Sequence, residues 1–346
     1  MEAATRSAQA GERVGPGQGS ARVPEVEEGP GPGPRRAQAA AKASPEQAKL
    51  LAELIERRLL IESGVAGVYG RGADFERVRE GIAAMVTRAC ARERPEQLRF
   101  PPVLPRVELE RIEYLKSFPH LAGSVFSFEG TEAQAGEQYQ LACRHEDWSE
   151  FQGPTDLVLT PAACYPVYPA IAARGRLPEG GVTVDAGGAY VFRNEPSGDP
   201  ARLQMFHQRE VVRIGEPEVV RSWRESWRER ALELLRGLGL EVEFDIASDP
   251  FFGRSGRMLK ASQREQELKF EVLTKIAEPG KTAVASFNYH QNHFAEIYGL
   301  ECEDGKPAHT ACLGFGLERI AIALFVAHGY DPDGWPAEVG ERLWER

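Results

Sequence analysis

Apolar residues recur along this chain with two different periods, and the change of period divides it. From Ser44 the pattern is helical. Ser44-Pro45-Glu46-Gln47 joins an N-cap serine to a proline at the first helical position, with a glutamine placed to complete a capping box. Leu50, Leu51, Leu54, Ile55 and Leu59 then form one stripe, which Gly64 is expected to end. A second helix is predicted from Asp74, with Phe75, Val78, Ile82, Met85 and Val86 on one face. The Phe100–Pro105 stretch is predicted to be extended, because proline lacks the helix donor and biases its predecessor away from helix.

Between residues 122 and 215 short apolar runs alternate with Gly, Pro and Asp. Ser124–Phe128, Leu157–Leu159, Ala189–Phe192 and Gln204–Arg213 are predicted strands of an antiparallel sheet. A long helix is predicted from Glu216 to Gly237, with Trp223, Trp227, Ala231 and Leu234 on one side. Strands return at Glu241–Phe244, Leu268–Leu273 and Thr282–Phe287. Residues 309–316 are read as a Gly-rich turn, and the last helix starts near Gly316. Helices before and after a block of strands predict an α+β fold, not alternating βαβ units.

Residues 1–45 contain no Leu, Ile or aromatic residue and are rich in Gly, Pro, Ala and charge. Such a segment cannot bury enough apolar surface to order itself, so 1–44 is expected to be a disordered tail and 45–346 the folded domain. No apolar run approaches the ~20 residues of a membrane span. The net charge is −10, which argues against gripping long nucleic acids while leaving room for a small anion in a locally basic pocket. Cys90, Cys143, Cys164, Cys302 and Cys312 are odd in number and widely spaced, which suits a reducing cytosol better than a disulfide framework.

Chemistry concentrates in a few places. Arg193 follows Phe192 at a predicted strand, and Arg319 follows Gly314 and Gly316 at the start of an apolar helix. Two planar, permanently charged guanidinium groups on rigid elements suit a triphosphate. Strand alternation puts Arg193 and Glu195 on one face, so an ion pair between them is the plain alternative. The loop from Pro196 to Leu203 presents Arg202 at its far end, as a ligand-closing loop or an ordinary hairpin loop would. Cys164, Glu210 and Cys312 could supply two thiolates and a carboxylate to a zinc ion with an open fourth position, although a lone buried cysteine is more often a small core residue.

Phe192-Arg193-Asn194-Glu195, the following loop and His207-Gln208-Arg209-Glu210 resemble motif 2 of the class II aminoacyl-tRNA synthetases. Gly314-Phe315-Gly316-Leu317-Glu318-Arg319 is similar to motif 3, and the helix at 74–93 with Pro101–Pro105 to motif 1, which forms the dimer interface in that class. Cys164, Glu210 and Cys312 match the zinc ligands of the atypical seryl-type branch. Without an evident tRNA-binding arm, the chain most resembles the truncated homologues called amino acid:carrier protein ligases.

That resemblance implies a class II catalytic domain with a central antiparallel sheet flanked by helices. It implies ATP-dependent activation of a small amino acid, glycine or alanine, and transfer to the phosphopantetheine thiol of a carrier protein. Arg193 and Arg319 would be catalytic, on the α- and γ-phosphates. ATP would also meet Glu195, Arg202, Leu203, Phe206, Lys269, Glu271, Ala285, Ser286 and Asn288. Thr160 and Glu210 would meet the amino acid, zinc would bind its amino group, and magnesium would be held by Glu271 and Ser286. Asp249-Pro250-Phe251-Phe252-Gly253 is a further match. The implied partners are a carrier protein docking on the helix at 216–237 and a second copy of the chain, with no tRNA and no membrane. The alternatives are a true tRNA synthetase, a catalytically silent paralogue that binds a ligand or partner, and plain core packing for the 216–237 tryptophans.

Overall fold

The computed structural model describes residues 40–249, 263–264 and 266–344. Of the tail expected to be disordered, residues 1–39 lie outside the described residues, as does the match at Pro250–Gly253; residues 40–44 are ordered instead, because Ala41 bridges to Ser197 and Ser44 caps the first helix. Helix α1 (Pro45–Glu56) starts as its sequence requires: Ser44 Oγ accepts from Gln47 N–H at 3.1 Å, and the Gln47 side chain accepts from Ser44 N–H at 2.8 Å. It ends earlier than Gly64, because Arg58 turns left-handed and the chain enters a hairpin, β1 (Leu60–Glu62) and β2 (Tyr69–Arg71). Leu59 is buried, but from the turn and not from the helix. Helix α2 (Ala73–Cys90) buries the expected face.

There follow β3 (Glu96–Gln97), β4 (Val103–Pro105), α3 (Arg106–Arg111), α4 (Tyr114–Ser117), β5 (Ser124–Phe128), α5 (Glu132–Cys143), β6 (Gln152–Leu159) and α6 (Val167–Ala172). The long strands β7 (Val182–Phe192) and β8 (Met205–Gly215) lead to α7 (Pro217–Arg236). The chain closes with β9 (Val242–Ile246), β10 (Lys269–Thr274), β11 (Thr282–Gln291), α8 (His293–Tyr298), β12 (His309–Gly316), α9 (Leu317–His328) and α10 (Ala337–Trp344).

The main sheet has the order β3-β7-β8-β12-β11-β10-β9, antiparallel throughout except for the parallel β3–β7 pair; β4-β6-β5 form a small separate sheet. One expectation fails at its centre. Residues 309–316 are a strand between β8 and β11, not a turn. Ala311, Leu313 and Phe315 share one face, Leu313 and Phe315 in the main core and Ala311 in a small cluster with Val220 and Tyr289, while Cys312, Gly314 and Gly316 face the other side. The glycines there are a floor kept low: a Cβ on Gly314 would lie 2.9 Å from Gln208 Nε2.

The two faces of the sheet differ in kind. Val211, Leu313, Phe287 and Phe270 stand side by side across four strands and pack with Trp227 and Leu235 of α7, Val78 and Ile82 of α2, and Ile320 and Leu324 of α9. On the opposite face the same four strands set Glu210, Gly314, Ser286 and Glu271 in a row, with Cys312, Asn288 and Lys269 in the adjacent row. Helix α7 therefore lies behind the polar face. Its Trp223 and Trp227 indoles donate to Glu93 at 2.6 and 2.8 Å, and Arg230 pairs with the same carboxylate at 2.6 Å. Trp227 is fully buried. Trp227→Ala is expected to cost about 3–5 kcal/mol in a urea titration, the usual range for deleting a buried large aromatic ring.

Candidate active site

Three chain segments meet above the centre of the sheet. Glu210 lies mid-strand in β8, and Cys312 lies on the same face of β12. Cys164 sits in the turn between β6 and α6, which is held against the sheet where Gln208 Oε1 accepts from Ala163 N–H at 3.1 Å. One ligand atom from each of Cys164, Glu210 and Cys312 lies within 4.8 Å of the others. The three residues are only 1–3% exposed.

Three acidic groups in so dry a place repel one another when ionised. Burial pushes the Cys164 thiol and the Glu210 carboxyl up from their ordinary values. The Cys312 thiol is pushed well up, by its hydrogen bond to Cys164 and then by burial. Glu210 Oε2 is buried without a hydrogen-bond partner, a costly state for a carboxylate oxygen. A divalent cation would satisfy that oxygen and allow all three groups to ionise. Two sulfurs and one oxygen with a fourth position open is a donor set that fits zinc. The surroundings support Cys312: Asn288 Nδ2 donates to its sulfur at 3.4 Å, and His290 Nε2 lies 3.6 Å away. Burial pulls His290 down to about 3, so its ring is neutral, and its Nδ1 meets Thr310 Oγ1 at 3.0 Å.

This cluster lies in the wall of a cavity of about 510 Å³ that continues along the polar face. Arg193, Phe206, Lys269, Glu271, Ala285, Ser286, Asn288 and Arg319 line the same cavity. The Cys312 end and the Gly316 end are about 13 Å apart, at ~3.3 Å per strand residue. Arg193 lies just past the end of β7, its guanidinium 5.6 Å from the Phe206 ring centre and its Nε donating to Pro161 O at 3.3 Å. Arg319 donates from Nε to Ala201 O at 2.7 Å and from Nη1 to Ala283 O at 2.9 Å. Burial and then the nearby charges of Arg193 and Arg202 pull Arg319 below the ordinary arginine value, the mark of a strongly positive corner. Lys269 Nζ sits 3.3 Å from Glu271 and also contacts Asp249; burial opposes its charge, but the two carboxylates outweigh it and hold Lys269 above its ordinary value.

Four expected contacts stand apart from the cavity wall. Glu195 pairs with Arg202 at 3.1 Å, so the carboxylate offered as a partner for Arg193 meets Arg202 instead. Leu203 is buried at the far end of the loop. Thr160 is 2% exposed with its hydroxyl unpartnered. Gln208, Asp249 and His290 line the cavity and were not singled out as site residues. Gln208 was open to detection, since alternation puts it on the Glu210 face; the pairing of Asp249 with Lys269 needs the fold.

No family model matches the chain. The architecture is that of the class II aminoacyl-tRNA synthetases. The seryl-tRNA synthetase of M. kandleri, solved with A. aeolicus tRNASec, superposes with a TM-score of 0.72 at 21% identity, over 90% of this chain and 62% of that one. The seryl-tRNA synthetase of Pyrococcus horikoshii, solved with ATP, gives a TM-score of 0.60 at 15% identity, over 88% of this chain and 63% of that one. Closer in sequence are two proteins of Bradyrhizobium diazoefficiens. Amino acid–acyl-carrier-protein ligase 1 is 45% identical over 304 residues, 87% of this chain and 93% of that protein. Ligase 2 is 45% identical over 307 residues, 88% and 91% of the two chains. The chain belongs to the amino acid–acyl-carrier-protein ligase family.

Substitutions at the cluster separate metal binding from packing. In elemental analysis the purified wild type is expected to carry one zinc per chain, and Cys312→Ala and Glu210→Gln each to carry none. The metal-free state gives the opposite sign for stability. With the carboxyl raised in the folded state, its stabilising contribution is present at acid pH and lost as pH rises. Chelator-treated Glu210→Gln should therefore melt at or above chelator-treated wild type at pH 8, with the gap closing toward pH 4. A chelated Glu210→Gln that melts below wild type at pH 8 would contradict the charge argument.

Proposed function

We propose that this chain uses ATP to activate a small amino acid as its aminoacyl-adenylate and then transfers it to the phosphopantetheine thiol of a carrier protein. The observation that carries this reading is a buried Cys164–Glu210–Cys312 cluster, with one carboxylate oxygen unpartnered, in the same cavity as two guanidinium groups. The names of the two B. diazoefficiens relatives support the carrier protein, and the ATP complex of the P. horikoshii neighbour supports the nucleotide.

In the first step a carboxylate oxygen of the amino acid attacks the α-phosphorus and diphosphate leaves. In the second, the carrier thiolate attacks the carbonyl carbon and AMP leaves. The protein's part is to align and neutralise. Arg193 is assigned to the α-phosphate and Arg319 to the γ-phosphate, with adenine stacked on Phe206. Glu195 and Arg202 are assigned to the exposed side of the nucleotide, Leu203 to the same loop, and Lys269, Ala285 and Asn288 to the floor beneath it. Glu271 and Ser286, neighbours across β10 and β11, are the proposed magnesium ligands. A zinc ion on Cys164, Glu210 and Cys312 would supply a Lewis-acidic contact for a neutral amino nitrogen. Thr160 is assigned to the same substrate end. Tyr165 and Phe294 wall that end, and Tyr168 stacks on Phe294 at 3.8 Å between ring centres, which favours glycine or alanine over larger side chains.

The carrier is assigned to the solvent side of the first turns of α7. Arg221 is exposed there and its guanidinium lies 5.6 Å from the ring of Tyr289, a residue of the cavity wall. The tryptophans take no part, since they are packed against the sheet and Glu93. The net charge of −10 disfavours tRNA as the acceptor. A homodimer and a cytoplasmic location, the latter in keeping with five free cysteines, complete the proposal.

The test joins three assays on one preparation. ATP–diphosphate exchange across an amino-acid panel should select glycine or alanine, and mass measurement should show a holo carrier protein gaining that residue while bulk tRNA stays uncharged. Arg193→Ala should lower exchange by roughly 10²–10³-fold, the scale of losing one charge-stabilising donor, with the size of the oligomer by light scattering unchanged. Arg221→Glu should raise the KM for the carrier and leave exchange intact. Charging of tRNA in place of the carrier, or no exchange with any amino acid, would overturn the proposal.

A further inference from the structure

Residues 41–46 cross the outside of two loops and join them. Ala41 N–H donates to Pro196 O at 2.9 Å, and Gly198 N–H donates to Ala41 O at 3.2 Å, an isolated parallel bridge between Ala41 and Ser197. Ala43 packs beside Gly198, where an added Cβ would come within 3.1 Å of the Ala43 methyl carbon. The same segment then reaches the turn between β10 and β11. The Ser44 hydroxyl donates to Glu278 O, and Glu278 N–H donates to Glu46 Oε2 at 3.0 Å. From there the chain enters α1, whose Leu50 and Leu54 are anchored in the main core.

The two carbonyls that hold Arg319 belong to one of these loops and to the strand that leaves the other. Ala201 O belongs to the β7–β8 connection, and Ala283 O lies at the start of β11 just beyond Glu278. Arg319 thus spans from within the same gap that residues 41–46 span from without. A guanidinium aimed by one carbonyl on the β7–β8 loop and one at the first residues of β11 inherits any movement of that loop against the β10–β11 end of the sheet, and loops are the mobile parts of a fold. None of Ala41, Ser44 and Glu46 lines the cavity, so an effect of these residues on the nucleotide must pass through the loops.

We infer that residues 41–46 are a strap that positions Arg319 by tying the β7–β8 loop to the β10–β11 turn. The inference rests on the proposed role of Arg319 in ATP binding. Ala41→Pro removes the donor to Pro196, and Glu46→Ala removes the acceptor for Glu278; the pair is tested in the full-length, zinc-loaded protein. ATP affinity by calorimetry is expected to fall roughly fivefold to tenfold, the scale of one or two hydrogen bonds, with metal content unchanged. Glu46→Ala alone, which leaves the backbone intact, should show a smaller loss of the same sign. In an Arg319→Lys background the strap substitutions should cost nothing further.

Hydrogen–deuterium exchange reads the strap without reference to function: residues 196–203 and 276–282 should lose protection in the strap variant. Unchanged protection there would overturn the inference. So would wild-type ATP affinity in the strap variants while Arg319→Lys binds weakly, or equal losses from the strap substitutions in both backgrounds. If Arg319→Lys itself binds ATP as wild type does, the assignment of Arg319 to the nucleotide falls, and the strap's role in positioning it falls with that assignment.

Discussion

Two thiols and a carboxyl converge within 4.8 Å in a place nearly closed to water, and they cannot all be charged unless a cation joins them. Much of the local architecture serves that convergence. Glu210 and Cys312 come from neighbouring strands, so their spacing is set by sheet register and not by flexible side chains. Gly314, opposite Glu210, leaves the room in which the Gln208 side chain lies. Gln208 then holds the turn that carries Cys164. A substitution that shifted β12 by one residue would turn Cys312 into the core and bring Ala311 or Leu313 to the polar face.

The same sheet separates two kinds of work. One face is a continuous apolar core shared with α2, α7 and α9, which gives the strands their rigidity. The other face displays acidic, amide and cationic groups in registered rows, with Arg319 beside Gly316 at one end, the sulfur ligands at the other, and Arg193 anchored on the turn that carries Cys164. A rigid floor with chemically different ends is suited to holding two reactants in line, where most of the advantage comes from placement. Residues 41–46 extend this logic to the rim, where Arg319 is fixed between a loop carbonyl and the first residues of β11.

Helical stretches with strong periodicity or caps were legible in the sequence. The Ser44–Gln47 box, the α2 face and the length of α7 all follow from local pattern. The strands were legible as elements but not in their extents, because Gly153 and Pro154 interrupt the apolar signal at the start of β6, and Gly187 and Gly188 interrupt it in the middle of β7. Strand β12 was misread because its glycines outweighed the alternation of Ala311, Leu313 and Phe315. Helix α5 is marked in the sequence only by its capping box at Thr131 and Gln134; with no buried residue, it has no apolar stripe. The three sulfur and carboxylate ligands are far apart in sequence and share no spacing rule. Their resemblance to a known motif set named them, and only tertiary pairing brings them together. The Lys269–Asp249 contact and the strap across the loops had no sequence signal at all.

The most direct test of the account is X-ray absorption at the metal edge of the purified, unsubstituted protein, read before and after adding glycine. The account predicts zinc with two sulfur neighbours near ~2.3 Å and the remaining oxygen or nitrogen neighbours near ~2.0–2.1 Å, and a change in the light-atom shell on adding glycine with both sulfurs retained. A metal without sulfur neighbours, or protein that binds no metal and still adenylates an amino acid, would contradict it.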